Sequence, residues 1–190
     1  MSAHHVDPGP TRMTAAASAP FTYRPERPED GPAIDALLDR VLGPGRHALA
    51  AYRLREDNAQ LSGLALVGER EGRLVGTVRF WPVAIGEAAA LLLGPLAIDP
   101  PVRHMGCGLG LMLRGLAGAR AAGHRLVILV GDPPYYARAG FAPVPPGRIT
   151  LPGPVDPRRI LHVELEPGAL ADARGMARRP PRSSGPGPSA

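Results

Sequence analysis

Residues 91–113 read LLLGPLAIDPPVRHMGCGLGLML and pass from an apolar strand, through a glycine-rich loop, into a helix. The strand is predicted over Ala88–Ile98. Gly94-Pro95 interrupts it, and because proline cannot donate to a hydrogen-bond ladder, this dipeptide predicts a bulge or an unpaired edge. The helix is predicted over residues 106–122, with Gly123 as its C-terminal cap. The apolar face of this helix is predicted to consist of Leu109, Met112, Leu113 and Leu116.

The loop between this strand and this helix has the properties of an anion site. The first N–H groups of a helix lack intrahelical partners, and the helix dipole favours a negative charge beside them. Gly106, Gly108 and Gly110 remove Cβ atoms that would block the approach of a phosphate. Their spacing is G-x-G-x-G, whereas the dinucleotide fingerprint is G-x-G-x-x-G, and no Gly-Lys-Ser/Thr follows as in a P-loop. The sequence therefore predicts a phosphate-binding loop of neither class.

The segments on either side predict an α/β protein with a mixed sheet. A helix is predicted to begin at Asp30, and a weaker one to run from about His47 to Glu56. Glu71-Gly72 predicts a hairpin between strands at residues 61–70 and 73–83, with Pro82 ending the second strand. The other predicted elements are strands at Phe21–Arg24, Leu126–Val130 and Ile160–Leu165 and a short helix at Pro134–Ala139.

The two ends of the chain differ in composition from the middle. Residues 1–19 lack periodicity and predict a disordered lead, within which Met13 is a second candidate start. Residues 175–190 are rich in Pro, Gly, Ser and Arg and predict a disordered basic tail. Residues 20–174 fit a single domain. The net charge of +5 falls to +2 without the three arginines of this tail, so the charge balance does not require a nucleic-acid partner.

Several classes of protein are disfavoured by composition. Cys107 is the one cysteine, which excludes an internal disulfide and a Cys-rich zinc site. The histidines show no metal-ligand spacing, so no metal site is predicted. The longest apolar run is Ala88–Ile98, whereas a membrane-spanning helix needs about 20 apolar residues. The N-terminus has no secretory h-region, and a cytoplasmic protein without a membrane partner is therefore predicted.

With these elements in place, the chain resembles the GNAT superfamily of N-acetyltransferases, in particular a bacterial subgroup of it. The loop Arg103–Gly108 matches the superfamily's pyrophosphate motif R/Q-x-x-G-x-G/A. Residues 91–113 are similar to its fourth strand and third helix, and GRLVGTVRF at 72–80 is similar to the strand before them. LVILVGDPPYYARAGF at 126–141 is similar to the fifth strand and the Tyr-x-x-x-Gly-Phe element. The resemblance covers about residues 21–166.

This resemblance implies a central mixed, mostly antiparallel β-sheet with strands 4 and 5 splayed apart, flanked by about four helices. It implies acetyl-CoA as cosubstrate and direct transfer of the acetyl group to a primary amine of a small molecule or peptide. The pantetheine arm would enter at the Gly94-Pro95 bulge, where an N–H near Leu96 would stabilise the thioester oxygen. The residues that the resemblance places against acetyl-CoA are Leu96, Ala97, Ile98, Arg103, His104, Met105, Gly106, Cys107 and Gly108.

Two catalytic residues are predicted from the same resemblance. Tyr136 lies four residues before Gly140, in the superfamily's tyrosine position, and would protonate the departing CoA thiolate. The adjacent Tyr135 is the alternative for that position. Glu87, at the start of the cofactor strand, is predicted to act as the general base through water, and its alternative is a solvated charge at a strand end.

Other functions stay open at this point. Met105 replaces a basic residue that the superfamily loop commonly carries, and residues 131–134 replace an Asn that contacts CoA. Both departures leave room for a non-catalytic acyl-CoA-binding domain. A nucleic-acid-binding protein that uses its arginines is a third hypothesis, disfavoured because aromatic interleaving is missing. The amine acceptor stays unidentified, and a homodimer is compatible with the resemblance.

Some side chains near these elements have two readings each. Amide dipoles at the helix start could lower the pKa of Cys107 and make it reactive, or this cysteine could fill a variable loop position. Arg46, Arg53 and Arg55 lie on or near the weaker helix, which borders the acceptor site in the superfamily. They could recognise an acidic amine, or they could form a solvated helix face.

Overall fold

The computed structural model describes residues 20–43, Gly45 and residues 50–180. The predicted N-terminal lead, Met13, Arg46 and the beginning of the weaker helix lie outside these residues. The helices are α1 (Gly31–Leu42), α2 (Ala50–Arg53), α3 (Cys107–Ala121), α4 (Pro133–Tyr136) and α5 (Ala169–Asp172). The strands are β1 (Thr22–Pro25), β2 (Leu66–Arg70), β3 (Arg73–Ile85), β4 (Ala88–Ile98), β5 (Leu126–Val130), β6 (Ala142–Pro143), β7 (Ile149–Thr150), β8 (Ile160–Glu164) and β9 (Gly175–Arg178).

The strands form one mixed sheet in the order β1-β2-β3-β4-β5-β8-β6, to which β9 adds by pairing with β3 and β7. The pairs β4–β5 and β7–β9 are parallel, and the other pairs are antiparallel. The predicted fold class, a mixed and mostly antiparallel sheet flanked by helices, is confirmed.

The two faces of β4 pack against different helices, because successive side chains of a strand point to opposite faces. Leu91 and Leu93 belong to a buried cluster with α3. Ala90 and Leu92 belong to a second cluster, which includes Ala50 of α2. Helix α1 buries Ile34 and its neighbours in a third, smaller cluster that contains Ala97 of β4. The sheet is therefore covered on both faces, and β4 lies at its centre.

The buried face of α3 is rotated relative to the predicted one. Met112 and Leu116 are buried as expected, but Leu113 is 49% exposed and Leu111 is fully buried. The cause is that glycines also belong to the buried face. Gly115 lies so close to the Phe80 ring that a Cβ atom there would collide with it. A pattern read from large apolar residues alone therefore places the centre of the face wrongly.

The hairpin β2–β3 turns at Glu71-Gly72, as predicted, and both turn residues have positive φ. The prediction that Pro82 ends the second strand is wrong, since β3 continues to Ile85. Strand β2 pairs with β3 only as far as Val78, and β9 begins to pair at Ala84. Pro82 thus lies where one edge of β3 has no strand beside it, and its missing N–H is tolerated there.

Strand β4 carries the predicted bulge at Gly94-Pro95. Val78 of β3 is opposite Leu96 and Phe80 is opposite Leu93, so β4 has one extra residue at this point. Strand β5 pairs with β4 only at the two successive residues Leu91 and Leu92. Beyond this pairing the two strands separate, and the part of β4 that follows the bulge has a free edge.

The prediction of a disordered tail from residue 175 is wrong for its first part. Gly175–Arg178 forms β9, which pairs with Ile85 through Ala177 and with Thr150 through Met176. Ala177 is fully buried, so even this arginine-rich segment contributes to the core. Residues 181–190 lie outside the described part. Within the described residues, no helix has the length and apolar character needed to cross a bilayer.

Candidate acetyl-CoA and acceptor site

The loop before α3 leaves a row of main-chain donors unpaired. His104 and Gly106 have positive φ, and Gly106 is the N-cap of α3. The first helical hydrogen bond runs from the Gly110 N–H to the Gly106 carbonyl at 2.9 Å. The N–H groups of the residues between them precede the hydrogen-bonded turns of the helix, and the N-cap offers them no side-chain acceptor. This loop can bind an anion through its backbone.

Gly108 is required by a close approach within this loop. A Cβ atom at Gly108 would collide with the Tyr135 hydroxyl and would lie 3.2 Å from Cγ1 of Ile98. Helix α4 therefore brings a tyrosine over the start of α3, and only glycine fits between them. The predicted glycine loop and the predicted tyrosine element meet in space, as the resemblance requires.

A cavity of about 190 Å³ lies along this loop, and we call it the loop cavity. All but two of the residues predicted to contact acetyl-CoA line it. The lining includes Leu96, Ile98, Arg103, His104, Gly106, Cys107, Gly108, Tyr135 and Tyr136. The two that do not line it are Ala97 and Met105. Met105 is 41% exposed, and its thioether accepts a hydrogen bond from Arg70 at 3.1 Å.

The alternation of the β3–β4 ladder explains why Ala97 is absent. The Asp99 N–H donates to the Val75 carbonyl at 2.8 Å, which makes these two residues a hydrogen-bonded pair. In an antiparallel ladder such pairs alternate, so Ala97 pairs with Thr77, and Leu96 and Ile98 direct their main-chain groups away from β3. The Ala97 side chain is buried against α1. The predicted contacts through Leu96 and Ile98 fit this geometry, and the one through Ala97 does not.

A second cavity, of about 340 Å³, lies on the other side of the bulge, and we call it the arginine cavity. Its lining includes Tyr52, Arg55, Gly94, Pro95, Leu96, Val130, Tyr136, Asp156 and Arg159. Leu96 and Tyr136 line both cavities. The two cavities therefore meet where β4 and β5 separate.

Tyr136 is half-buried at this junction. Its ring packs edge-on against Tyr135 and Phe141, with centroid distances of 5.1 and 6.0 Å. Burial raises the pKa of Tyr136 to about 12, so its hydroxyl keeps its proton at neutral pH. Since the Tyr135 hydroxyl lies at the glycine loop instead, Tyr136 is the member of the pair that faces both cavities.

Glu87 lies far from this junction. It occupies the turn between β3 and β4, its side chain is fully exposed, and its carboxylate lies 3.6 Å from Arg178. Seven residues of extended strand separate it from the bulge, which corresponds to about 23 Å. Glu87 precedes the first residue of β4, whereas the bulge lies toward the other end of that strand. It is therefore too far away to act as the base for an amine at the bulge.

Cys107 is a buried thiol. Its side chain is 1% exposed, and its sulfur lies within 3.0 Å of the Cβ positions that Gly68 and Gly76 would have. Burial raises the pKa of this thiol to about 11, which favours the second of the two alternatives, an unreactive cysteine. The cause of the shift is desolvation, because the sulfur is packed in the core against the two glycines.

Arg55, Tyr52 and Arg159 are lining residues of the arginine cavity whose roles sequence reasoning left open or missed. Arg55 is one of the three arginines on or near the predicted weaker helix, and Arg53, another of them, is exposed. Tyr52 and Arg159 come from segments with no recognisable motif, and only the fold brings them together. Among the described residues, no group of three or more His, Cys, Asp or Glu side chains could hold a metal ion.

Comparisons with known proteins agree with this geometry. The chain is 38% identical over 120 residues to N-acetyltransferase YhbS of Escherichia coli K12, covering 62% of this chain and 71% of that protein. It superposes on the crystal structure of the GNAT family N-acetyltransferase YhbS from E. coli in complex with CoA with a TM-score of 0.74, at 30% identity and over 93% and 94% of the two chains.

A second solved structure, a GNAT family acetyltransferase from Brucella melitensis in complex with acetyl-CoA, gives a TM-score of 0.60 at 28% identity and covers 78% of this chain and 90% of that one. No protein-family model matches the chain.

Proposed function

The chain belongs to the GNAT family of N-acetyltransferases, and we propose that it transfers the acetyl group of acetyl-CoA to a primary amine of a small molecule or peptide by direct attack. One observation carries the proposal: the loop cavity and the arginine cavity meet at Leu96 and Tyr136, where β4 and β5 separate. One cavity suits a phosphate-bearing cosubstrate, the other has room for an acceptor, and acyl transfer requires the two substrates to meet.

The loop cavity fits acetyl-CoA through its main chain. The uncapped N–H groups at the start of α3 would bind the pyrophosphate, with Arg103 and His104 exposed beside them. The free main-chain groups of Leu96 and Ile98 would pair with the pantetheine arm, as a neighbouring strand does. Acetyl-CoA supplies the activated acetyl group as a thioester.

The junction residues would perform the chemistry. The Leu96 N–H would donate to the thioester oxygen, and such a preorganised donor is worth about 3–4 kcal/mol in other enzymes. As the amine nitrogen bonds to the acetyl carbon and the carbon–sulfur bond breaks, Tyr136 would deliver its proton to the CoA sulfur. The proton that the nitrogen loses would pass through water to the Tyr136 phenolate and restore the acid. With its pKa raised to about 12, Tyr136 carries its proton at neutral pH. Because the raised pKa makes it a weaker acid, the proton would pass only as negative charge develops on the sulfur.

The extent of the catalytic domain follows from the position of β9. We propose that a single catalytic domain extends from residue 20 through β9, since β9 pairs with β3 in the central sheet. A cytoplasmic location and a homodimer stay predictions.

Calorimetric titration with acetyl-CoA tests the proposal, with free adenine dinucleotide as the control, followed by a screen of amine pools for CoA release. We expect saturable binding of acetyl-CoA, no comparable binding of the dinucleotide, and CoA release with at least one pool. Binding without any turnover would instead support a non-catalytic acyl-CoA-binding domain. Absence of acetyl-CoA binding would overturn both functions.

A further inference from the structure

Arg55 is an anomaly in the wall of the arginine cavity. Its Nε and Nη1 atoms are buried and have no hydrogen-bond partner among the described residues. The guanidinium stacks on the Tyr52 ring, 4.5 Å from the centroid. Buried donors in folded proteins nearly always have acceptors, and an unpaired buried charge costs several kcal/mol. Two donors of this buried guanidinium thus have no acceptor among the described residues.

The surroundings of Arg55 make it the available cation of this region. Burial lowers the pKa of Arg55 to about 10; a side-chain hydrogen bond and the electrostatic interaction with Tyr52 oppose this shift, and Arg79 adds to it. The guanidinium is therefore charged at neutral pH but poorly solvated. Arg79 is satisfied by Glu26, whose carboxylate lies 2.7 Å from it. The carboxylate in the lining of the arginine cavity is Asp156, which is held by Arg158 at 2.9 Å.

The position of Arg55 relates it to the acceptor. A Cβ atom at Gly94 would lie 2.7 Å from Nη2 of Arg55, so this guanidinium lies against the bulge itself. Tyr136 lies close enough to Arg55 for the positive charge of Arg55 to lower the pKa of Tyr136, in opposition to the larger effect of burial. Arg55 lines the arginine cavity but not the loop cavity. An anion on Arg55 would therefore lie on the acceptor side of the junction.

We propose that the amine acceptor carries an oxyanion group, a carboxylate or a phosphate, which binds to Arg55 and orients the amine toward the bulge. The inference deepens the proposed acetyltransferase function and rests on it. A guanidinium with free N–H donors matches the acceptors that such a group offers. Arg159, which lines the same cavity, adds a second positive charge. Amines and polyamines without an anionic group would lack this contact and would be poor substrates.

Trp81 allows a direct binding test, because it is the one tryptophan of the chain and lines a neighbouring cavity together with Arg55. Its indole N–H also donates to the Gly94 carbonyl at 2.6 Å. We would titrate the full chain with sodium propionate, with inorganic phosphate and, as the neutral match, with propionamide, and record tryptophan emission. We expect a saturable change with one or both anions and none with propionamide. The two anion arms distinguish a carboxylate-bearing from a phosphate-bearing acceptor.

The matched variants are Arg55→Gln and Arg53→Gln. Arg53 is exposed, lies on α2 and is not part of either cavity lining. We expect Arg55→Gln to weaken anion binding at least tenfold, or about 1.4 kcal/mol, and Arg53→Gln to leave it unchanged. The wild-type titration decides the question even if Arg55→Gln fails to fold. No saturable response to either anion, or the same response in Arg55→Gln, would overturn the proposal.

Turnover of matched amines separates this inference from the proposed function. Each free amino acid is compared with its carboxamide, and phosphoethanolamine with ethanolamine. We expect the anionic member of at least one pair to have a kcat/KM at least tenfold higher, and Arg55→Gln to remove that preference without changing acetyl-CoA affinity. Equal turnover of both members would overturn the role of Arg55 and leave the acetyltransferase intact. A loss of acetyl-CoA affinity in Arg55→Gln, with the preference unchanged, would assign Arg55 to the cosubstrate instead.

Discussion

The loop cavity and the arginine cavity share two residues but are built from different parts of the polypeptide. The loop cavity uses main-chain groups, namely the first N–H groups of α3 and the free edge of β4, and its glycines give access to them. The arginine cavity is lined by side chains from α1, α2 and the turn after it, β4, β5, α4 and the segment before β8. The loop cavity therefore depends on local conformation, whereas the arginine cavity depends on side chains that come from several distant parts of the sequence.

The comparison is tested most strongly at Tyr136, one of the two residues that both cavities share. We expect Tyr136→Phe to lower kcat by about 10²–10⁴, the range of general acid catalysis, because the departing thiolate loses its proton donor. The affinity for acetyl-CoA, measured by calorimetry, should change little, since the ring and its packing on Phe141 are retained.

Tyr135→Phe is the control for this change. It removes the hydroxyl that lies at Gly108, so its effect should fall on acetyl-CoA affinity and not on kcat. If Tyr135→Phe lowers kcat and Tyr136→Phe does not, the assignment of the acid must be reversed.

A steric block of the main-chain cavity should have the next largest effect. In Gly108→Val, the new Cβ would collide with the Tyr135 hydroxyl and crowd Ile98, which would close the approach to the N–H groups of α3. We expect acetyl-CoA to bind about 100-fold more weakly, a loss of about 2.7 kcal/mol.

The matched control for this block is Gly63→Ala, at an exposed glycine with open space around its Cβ position. Calorimetric titration of both variants, with melting curves to verify that they fold, makes the comparison. Unchanged affinity in Gly108→Val would show that the loop is only a turn between β4 and α3.

The features of the loop cavity could be predicted from the sequence better than those of the arginine cavity. The glycine loop, the bulge at Gly94-Pro95 and the bounds of β4 were predictable, because glycine and proline have local conformational meaning. Tyr136, whose role as the acid stays a prediction, is marked in the sequence by its spacing from Gly140. Arg159 is not, because nothing near it in the sequence marks a cavity, and the burial of Arg55 arises only when the fold brings it against the bulge.

The wrong predictions concern positions in the folded structure that a local sequence pattern does not determine. Glu87 is close to the bulge along the chain but lies at the opposite end of β4. Residues 175–178 belong to a segment rich in Pro, Gly, Ser and Arg, which predicts disorder, yet Ala177 pairs with Ile85 in the sheet. Cys107 lies in the predicted loop, but the direction of its side chain, which decides its chemistry, depends on the rotation of α3.

The pH dependence gives a smaller effect that sharpens the role of the shared residue. Only the protonated form of Tyr136 can act as an acid, and a raised pKa extends that form toward higher pH. With a pKa of about 12 for Tyr136, ionisation of this residue should cause no loss of kcat up to about pH 10.

The measurement is kcat against pH, with an ultraviolet difference spectrum between wild type and Tyr136→Phe to follow the phenolate. An alkaline loss of activity near pH 10 that coincides with phenolate formation at this residue would contradict the shift.

The smallest expected effect concerns Cys107, and it tests whether the loop cavity is built of main chain. Cys107 lines the loop cavity, while its side chain is buried between α3 and the two glycines of β2 and β3. Cys107→Ala keeps the N–H and removes only the sulfur, so we expect acetyl-CoA affinity to stay within about twofold, which is about 0.4 kcal/mol. The melting temperature should fall modestly, because a small buried cavity replaces the sulfur.

In the wild type, a thiol whose pKa is raised to about 11 should react with iodoacetamide about a hundredfold more slowly than free cysteine near neutral pH. Rapid alkylation, or a large loss of acetyl-CoA affinity in Cys107→Ala, would mean that side chains also build the loop cavity and would remove the distinction between the two cavities.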